Sequence, residues 1–553
     1  MPRSHTQGDH RGLAAAADGM FGRFGRMFDT LEGPEFDPVA LEAVARSMIK
    51  NDDGQVFNDP DDDENVRLPA GYTYFGQFVD HDLTADRTTV GEQEADASAV
   101  DNFRTAALDL DCVYGNGPGG DLVLYDNDLR LKLSTHRIAP VPPTSGPGST
   151  RTQFDHRRDS AHVALIGDPR NDENMIVAQI HQAFTQFHNR IMDTPQLMMG
   201  VQDRSERFRR AARLARWHYQ WVVVNDYLKR ICMPEIFDEI VNPGGTPRLR
   251  YYPKPDDVAA YPYMPIEFAA AAYRFGHSMV RPSYALNDAI GTDHAHKRVP
   301  IFADGAAPHG DLRGFRQMAM GAGIDWGYFL ELEGNPPASQ NGTGTLQPAY
   351  RIDTLLVDPL RLLVNPDLIG RRPIERNLAY LNLLRGSRLR LPTAEQVGEA
   401  MGMGNFGAAR FPMLHPEDIW SAGSRHAAAF DQDTGDEGID TARTARRPLL
   451  DAFRGSTPLW YYILREAEWY GVWSISDTRE TPSGERGTGD GLGGHHLGPI
   501  GSTIVIETFM ALLQGDPGSY VHQAGWRPMT PIAPSTPEAF ELKHLISWAL
   551  ADQ

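Results

Sequence analysis

The residues best suited to do chemistry lie close together in Gly76-Gln77-Phe78-Val79-Asp80-His81-Asp82. An amide stands four residues before an imidazole, and a carboxylate stands on each side of that imidazole. On a helix Gln77 and His81 share a face, while Asp80 and Asp82 point elsewhere. A lone helical histidine is usually structural. An amide one turn ahead and two flanking carboxylates are less common packing material, because buried carboxylates must be paired or ligated.

Three further constellations carry donors. Thr105, Asp109 and Asp111 are oxygen donors at short spacing, which suits a hard cation such as Ca²⁺. The plainer alternative is a solvated turn after a helix. In Gly167-Asp168-Pro169-Arg170-Asn171-Asp172-Glu173, Asp168 and Pro169 fit a helix entry, and Arg170 is either solvated or aimed into a cavity. In Ala272-Tyr273-Arg274-Phe275-Gly276-His277, small residues beside a histidine leave room for a flat, bulky group; close helix packing is the alternative. His181 and His188 lack the His-Glu-x-x-His zinc pattern and read as packing or hydrogen-bonding residues. The pair in Gly493-Gly494-His495-His496 reads as loop, and Trp460, Tyr461 and Tyr462 read as core. The run Asp59-Pro60-Asp61-Asp62-Asp63-Glu64, within an acidic loop over 51–65, lacks the glycine and closing glutamate of an EF-hand and reads as solvated.

The elements that must position these groups are mostly helical. Asp37 as N-cap and Pro38 in the first turn open a helix to about residue 48. Helical periodicity returns over 74–83, 173–192, 206–232, 266–280, 376–384, 392–401, 458–470, 500–513 and 537–551. The best strand signal is 121–134, where alternation flanks Asp126-Asn127-Asp128. Residues 140–152 and 334–344 read as long loops, and no linker divides the chain. The expectation is a mainly α fold with little β-structure: a poorly structured N-terminal arm over 1–36 and one large domain over 37–553.

Composition excludes several classes. A formal charge of −20 over 553 residues disfavours nucleic acid and anionic membrane as partners. Two cysteines, Cys112 and Cys232, are too few for a disulfide framework or a Cys-rich metal site. The N-terminus has no apolar signal core, and no window approaches the ~18 apolar residues of a membrane span. The default location is cytoplasmic, with signal-independent secretion as the alternative.

In order and residue type, these segments resemble the animal haem peroxidases of the peroxidase–cyclooxygenase superfamily, over roughly residues 70 to 520. The family pattern Gly-Gln-x-x-Asp-His-Asp is matched at 76–82, and its calcium loop at 105–111, followed by Val113-Tyr114-Gly115. The family's Gly-Asp-x-Arg is matched at 167–170 and its Arg-Phe-Gly-His at 274–277. Asn382-Leu383-Leu384-Arg385, before Leu391-Pro392, resembles the family's asparagine segment behind the proximal ligand. The stretch from Leu497 to Asp516 resembles its C-terminal helix.

The resemblance implies roles. His81 would be the distal base, Arg170 would stabilise developing charge, and Gln77 would bond distal water or a small anion. His277 would ligate haem iron, and Asn382 would accept its other ring N–H. Arg274 and Arg385 would adjoin the haem. Asp80 and Glu173 would form ester bonds to a haem b, whereas Asn174 stands where one family member carries a haem-linked methionine. Asp82, Thr105, the Ala107 carbonyl, Asp109 and Asp111 would hold calcium. Asp111 replaces a common serine, and three carboxylates should favour Ca²⁺ occupancy. The implied reaction uses hydrogen peroxide, through an oxoferryl haem, to oxidise a halide, pseudohalide or small organic donor.

The alternative within the superfamily is a fatty-acid dioxygenase or cyclooxygenase-like oxygenase. Those enzymes need a tyrosine three residues before the proximal histidine. Here that position is Arg274, with Tyr273 one place earlier on a different helical face, and Asp80 is present; both favour a peroxidase. A non-catalytic scaffold is disfavoured because every catalytic position is filled. The missing signal and pro-segment point to a bacterial member.

Overall fold

The computed structural model describes residues 24–49, 64–85, 102, 104–138, 153–241, 246–253, 262–287, 298–302, 310–332, 346–364, 368, 370–403, 410–420, 451–471 and 493–551. Helices dominate. Asp37 accepts from the Val39 amide and caps Pro38–Ser47, with Pro38 in its first turn. Gly71–Leu83 starts three residues before its periodicity does. Met175–Asp193 and Arg204–Val222 pack against each other. The second runs on through a π-turn, Val223–Tyr227, into Leu228–Ile231. Leu459–Tyr470 and Pro499–Gly515 are almost wholly buried. Leu542–Leu550 closes over Met175–Asp193, where Trp548 meets Phe187 edge to face at 5.3 Å.

Gly71–Leu83 is gripped by this core. Phe78 stacks on Phe184 at 4.8 Å, and Phe75 meets Tyr227 edge-on at 5.5 Å. Truncating a buried phenylalanine of this kind costs about 3–5 kcal/mol, and Phe78 lies one turn from His81. Among the described residues β-structure amounts to three two-stranded ribbons and a few isolated bridges. Phe24–Gly25 pairs with Met264–Pro265, Glu64–Pro69 with Pro348–Tyr350, and Ser283–Ala285 with Arg298–Pro300. The mainly α expectation holds.

Four local readings change. Residues 24–36 are not a loose arm. Phe24, Met27 and Phe28 are buried, Arg26 donates to the Leu389 carbonyl at 2.8 Å, and the Met27 and Phe28 amides donate to Glu267. Residues 1–23 lie outside the described residues. Glu64 is not solvated: it opens a strand and pairs with buried Arg281 at 2.7 Å, while 51–63 lie outside the described residues.

The 121–134 hairpin keeps its turn, since Asp126 accepts from the Asp128 and Arg130 amides. Its pairing shrinks to a Tyr125–Leu131 bridge, and Leu122–Leu124 coils into a 3₁₀ turn. The alternation has no sheet to bury it: Leu122 is 72% exposed. The 266–280 helix breaks at Ala271 into Ile266–Ala270 and a 3₁₀ segment, Ala272–His277. Arg274 Nε donates to the Ala269 carbonyl at 2.9 Å, occupying an acceptor that a continuous helix would use.

The loops at 140–152 and 334–344 lie outside the described residues. Trp460, Tyr461 and Tyr462 are core, and both cysteines are buried free thiols. His495 is buried and exchanges hydrogen bonds with Asn65. Among the described residues no helix is long and apolar enough to cross a membrane.

Candidate active site

Two glycines set the backbones. A Cβ on Gly76 would come within 2.3 Å of the Tyr227 hydroxyl, so only glycine lets the helix carrying His81 approach that ring. A Cβ on Gly167 would come within 2.6 Å of the Cys112 carbonyl; its absence lets the backbone just before Asp168 lie against the 111–115 segment.

His81 is buried, and its Nδ1 donates to Asn171 Oδ1 at 2.9 Å. Asn171 Nδ2 in turn donates to His181 Nδ1 at 3.0 Å, and the Asn171 carbonyl accepts from His156 Nε2 at 3.1 Å. With the Asn171 amide oxygen facing the ring, as its bond to His181 favours, Nδ1 carries the His81 proton and Nε2 keeps its lone pair. Nε2 stands 3.7 Å from Glu173 Oε2. Burial, then the Arg170 charge, lowers the His81 pKa to about 4. The imidazole is therefore neutral at ordinary pH.

Arg170 donates from Nε and Nη2 to Asp168, and Nη2 also reaches the His81 carbonyl at 3.0 Å. Burial opposes charge on both groups. Their mutual hydrogen bonds outweigh it, holding Asp168 well below the usual carboxylate range and Arg170 above the usual guanidinium one. Gln77 lies between two residues of the next segment: its Nε2 donates to Glu173 at 3.0 Å, and its Oε1 accepts from Asn174 at 2.9 Å.

These groups line a cleft. Glu173 keeps 49% of its side chain accessible, yet burial raises its pKa. Both hold if the accessible half faces an enclosed slot rather than bulk water. The other wall is the 272–277 segment, where a Cβ on Gly276 would meet nothing within 4 Å and His277 is partly accessible. The Asp80 charge acts on both His81 and His277, so the two imidazoles flank common ground. Burial, then Arg274, lowers the His277 pKa to about 3 and keeps it in the neutral form a metal ligand needs.

Asn382 lies behind His277, with its Nδ2 2.8 Å from Nδ1. The resemblance implies an accepting oxygen at that point. A half-turn of the amide exchanges oxygen and nitrogen without moving the heavy-atom frame, and it would leave Nε2 unprotonated. Asp80 lies at the slot edge, where it accepts from Thr84 Oγ1 at 2.9 Å. Arg274 is spent on the Ala269 carbonyl, and Arg385 lies partly buried three residues after Asn382 on the same helix.

The cation-type residues also converge. Asp82, Asp109 and Asp111 are buried, with ligand atoms all within 4.8 Å of one another. The Leu110 amide donates to Asp82 at 3.1 Å, and Thr105 Oγ1 donates to Asp109 at 2.8 Å. Ala107 is buried in the loop between them. Burial, then Asp111, pushes the Asp82 carboxyl up to about 7. Tyr219 is fully buried, and its hydroxyl lies against the Asp82 carboxylate. Three crowded, buried carboxylates suit a hard cation.

Sequence reasoning missed the role of Asn174 beside Gln77, and it missed Asn171, Tyr219 and Arg104. The last donates to Asp111 at 3.1 Å and to Asp168 at 2.8 Å. Charge balance was the available signal for it, since Arg104 immediately precedes a loop rich in carboxylates. Asn171 follows Arg170 in the quoted motif, but no periodicity links it to His81.

Residues 92–325 match the family model described as animal haem peroxidase. Thyroid peroxidase from Sus scrofa is 24% identical over 321 residues, which are 55% of this chain and 30% of that protein. The Homo sapiens protein is 24% identical over 322 residues, with the same shares. The match thus spans under a third of these curated relatives. Peroxidase A from Dictyostelium discoideum has the same fold, with TM-score 0.55, 16% identity, and 92% and 89% of the two chains covered. So does the fatty acid alpha-dioxygenase of Oryza sativa, with TM-score 0.53, 15% identity, and 96% and 79% covered. The chain is thus similar to the animal haem peroxidases over residues 92–325 and shares the fold of these two solved structures.

Proposed function

We propose that the chain is a haem peroxidase that uses hydrogen peroxide to oxidise a halide, pseudohalide or small organic donor. The observation that carries this reading is the His81 tautomer, with Nδ1–H committed to Asn171 and Nε2 left as an acceptor beside the slot. The slot, with open space at Gly276 between two imidazoles, suits a flat prosthetic group. His277 would hold its iron and Asn382 would orient that imidazole. When bound, haem supplies the redox chemistry that breaks the O–O bond.

His81 Nε2 takes the proton from one peroxide oxygen and returns it to the departing one. Arg170 supplies a fixed positive charge, because Asp168 and the His81 carbonyl orient its guanidinium before any substrate arrives. Gln77, pinned between Glu173 and Asn174, offers little freedom to a bound water or anion. Glu173 and Asp80 border the slot and are the candidates for ester linkage. Asp82, Asp109 and Asp111, with Thr105 and the Ala107 carbonyl, would hold calcium next to His81.

An oxygenase reading is less well supported. In a 3₁₀ segment residues three apart eclipse, so Arg274 and not Tyr273 shares the side of His277. The Tyr273 hydroxyl lies 3.3 Å from the Gly76 carbonyl and 3.2 Å from the Tyr227 hydroxyl, inside the wall. The test is oxidation of guaiacol or iodide by the haem-loaded protein. It should require peroxide and fall roughly 10²–10⁴-fold in His81→Ala. Full activity in that variant, or oxygen uptake with an unsaturated fatty acid and no peroxide, would overturn the reading.

A further inference from the structure

Arg104 joins the carboxylate cluster to the slot. It is nearly buried, with 11% of its side chain accessible. One Nη donates to Asp111 Oδ1 at 3.1 Å, while Nε and the other Nη donate to Asp168 Oδ2 at 2.8 and 2.5 Å. That second Nη also reaches the Gly167 carbonyl at 3.1 Å. Asp168 holds Arg170, Arg170 holds the His81 carbonyl, and His81 is bonded in the chain to Asp82 of the cluster. The circuit closes on itself.

We propose that Arg104 is a positioning residue: a built-in counter-cation that competes with a divalent ion for Asp111 and couples the ion's presence to the placement of Arg170. The proposal rests on the calcium reading above. Asp111 adds a third carboxylate to the cluster, and Arg104 cancels much of the added charge. The expectation that three carboxylates simply favour Ca²⁺ therefore changes. A bound ion meets a guanidinium already sharing one of its ligands, and like charges at such range repel strongly in a buried site. An ion that drew on Asp111 would leave Arg104 to Asp168 and the Gly167 carbonyl, and the Asp168 carboxylate that orients Arg170 would be held more tightly from that side.

A purely structural role makes the opposite prediction. If Arg104 only pinned the 104–111 loop to Gly167, its loss would loosen the loop and weaken ion binding.

The experiment is calorimetric titration of Ca²⁺ into the holoprotein after chelator treatment, for wild type, Arg104→Lys and Arg104→Gln. Arg104→Gln should bind Ca²⁺ roughly tenfold or more tightly, and Arg104→Lys, which keeps the charge but not the fork, should lie closer to wild type than Arg104→Gln does. In an Asp111→Ser background the effect of Arg104→Gln should shrink, since the shared ligand is gone. In wild type, Ca²⁺ should also shift the Arg170 side-chain N–H resonance, assigned from Arg170→Lys, and Arg104→Gln should abolish that shift. Unchanged or weaker binding in Arg104→Gln overturns the proposal while leaving peroxidase activity to be judged separately. If Arg104→Gln does not fold, a wild-type resonance that ignores Ca²⁺ overturns it equally. No Ca²⁺ binding in wild type overturns both this proposal and the calcium reading.

Discussion

His81 Nδ1 lies 2.9 Å from Asn171 Oδ1, and Asn171 Nδ2 lies 3.0 Å from His181 Nδ1. One amide therefore fixes the proton of the imidazole beside the slot and is itself fixed by a second imidazole. Replacing Asn171 with Leu removes the acceptor and lets both tautomers form. The expected outcome is a loss in kcat/KM for peroxide smaller than the roughly 10²–10⁴-fold of removing the base itself, with haem content unchanged, read from steady-state rates and the Soret band. Asn171→Asp places a negative charge against Nδ1–H and stabilises the imidazolium, so the acid limb of the pH profile should move upward.

The His81 pKa of about 4 makes an independent prediction. The free base is present above that value and lost below it, so kcat/KM for peroxide should be flat through neutrality and fall as pH drops through about 4. A limb centred near pH 6.5 would show that burial does not control this imidazole.

Stability should follow the same histidines. The folded pKa values of His81 and His218 are both lowered to about 4, chiefly by burial. Between about pH 6.5 and 4 the unfolded chain binds more protons than the folded one. The stability these two histidines contribute therefore declines as pH falls through that window, against the opposite contributions of Asp82 and Glu466, so His218→Gln should show a smaller Tm loss than wild type between pH 6.5 and pH 4.5. Scanning calorimetry across the window would check the sign.

Calcium removal should show the reverse pH sense. Asp82 has its pKa raised to about 7, so the ion-free folded cluster is eased by a proton below that value and strained by a further charge above it. Chelator treatment should lower Tm more at pH 8 than at pH 6, and added Ca²⁺ should restore it. Equal losses at both values would count against a carboxylate cation site here.

Covalent attachment has a simple readout. If Glu173 and Asp80 bond the haem, acid–acetone should leave it with the protein, Glu173→Gln or Asp80→Asn alone should retain part of it, and the double variant should release it all. Complete extraction from wild type would remove the ester proposal.

Much of the site was legible because it lies in short motifs. Gln77 and His81 share a helical face by spacing alone, and Asp37 with Pro38 announced a helix start through cap chemistry. What was illegible depends on contacts far apart in the chain. Asn171 meets His81 across 90 residues, and Arg104 meets Asp168 across 64. The break at Ala271 was hidden for a related reason: apolar periodicity reports which face is buried, not that an arginine three residues on will take a carbonyl from the helix. Residues 24–36 misled through composition, since Gly-rich flanks outweighed the few aromatic residues that anchor them.

The tie between Tyr273 and the Gly76 carbonyl joins the two segments behind the proposed slot. It works as a spacer bar. Because the bar consists of protein atoms only, the gap between the walls has a width before any prosthetic group enters. Loading then resembles sliding a card into a reader, with the chain presenting an aperture of set gauge instead of condensing around its cargo.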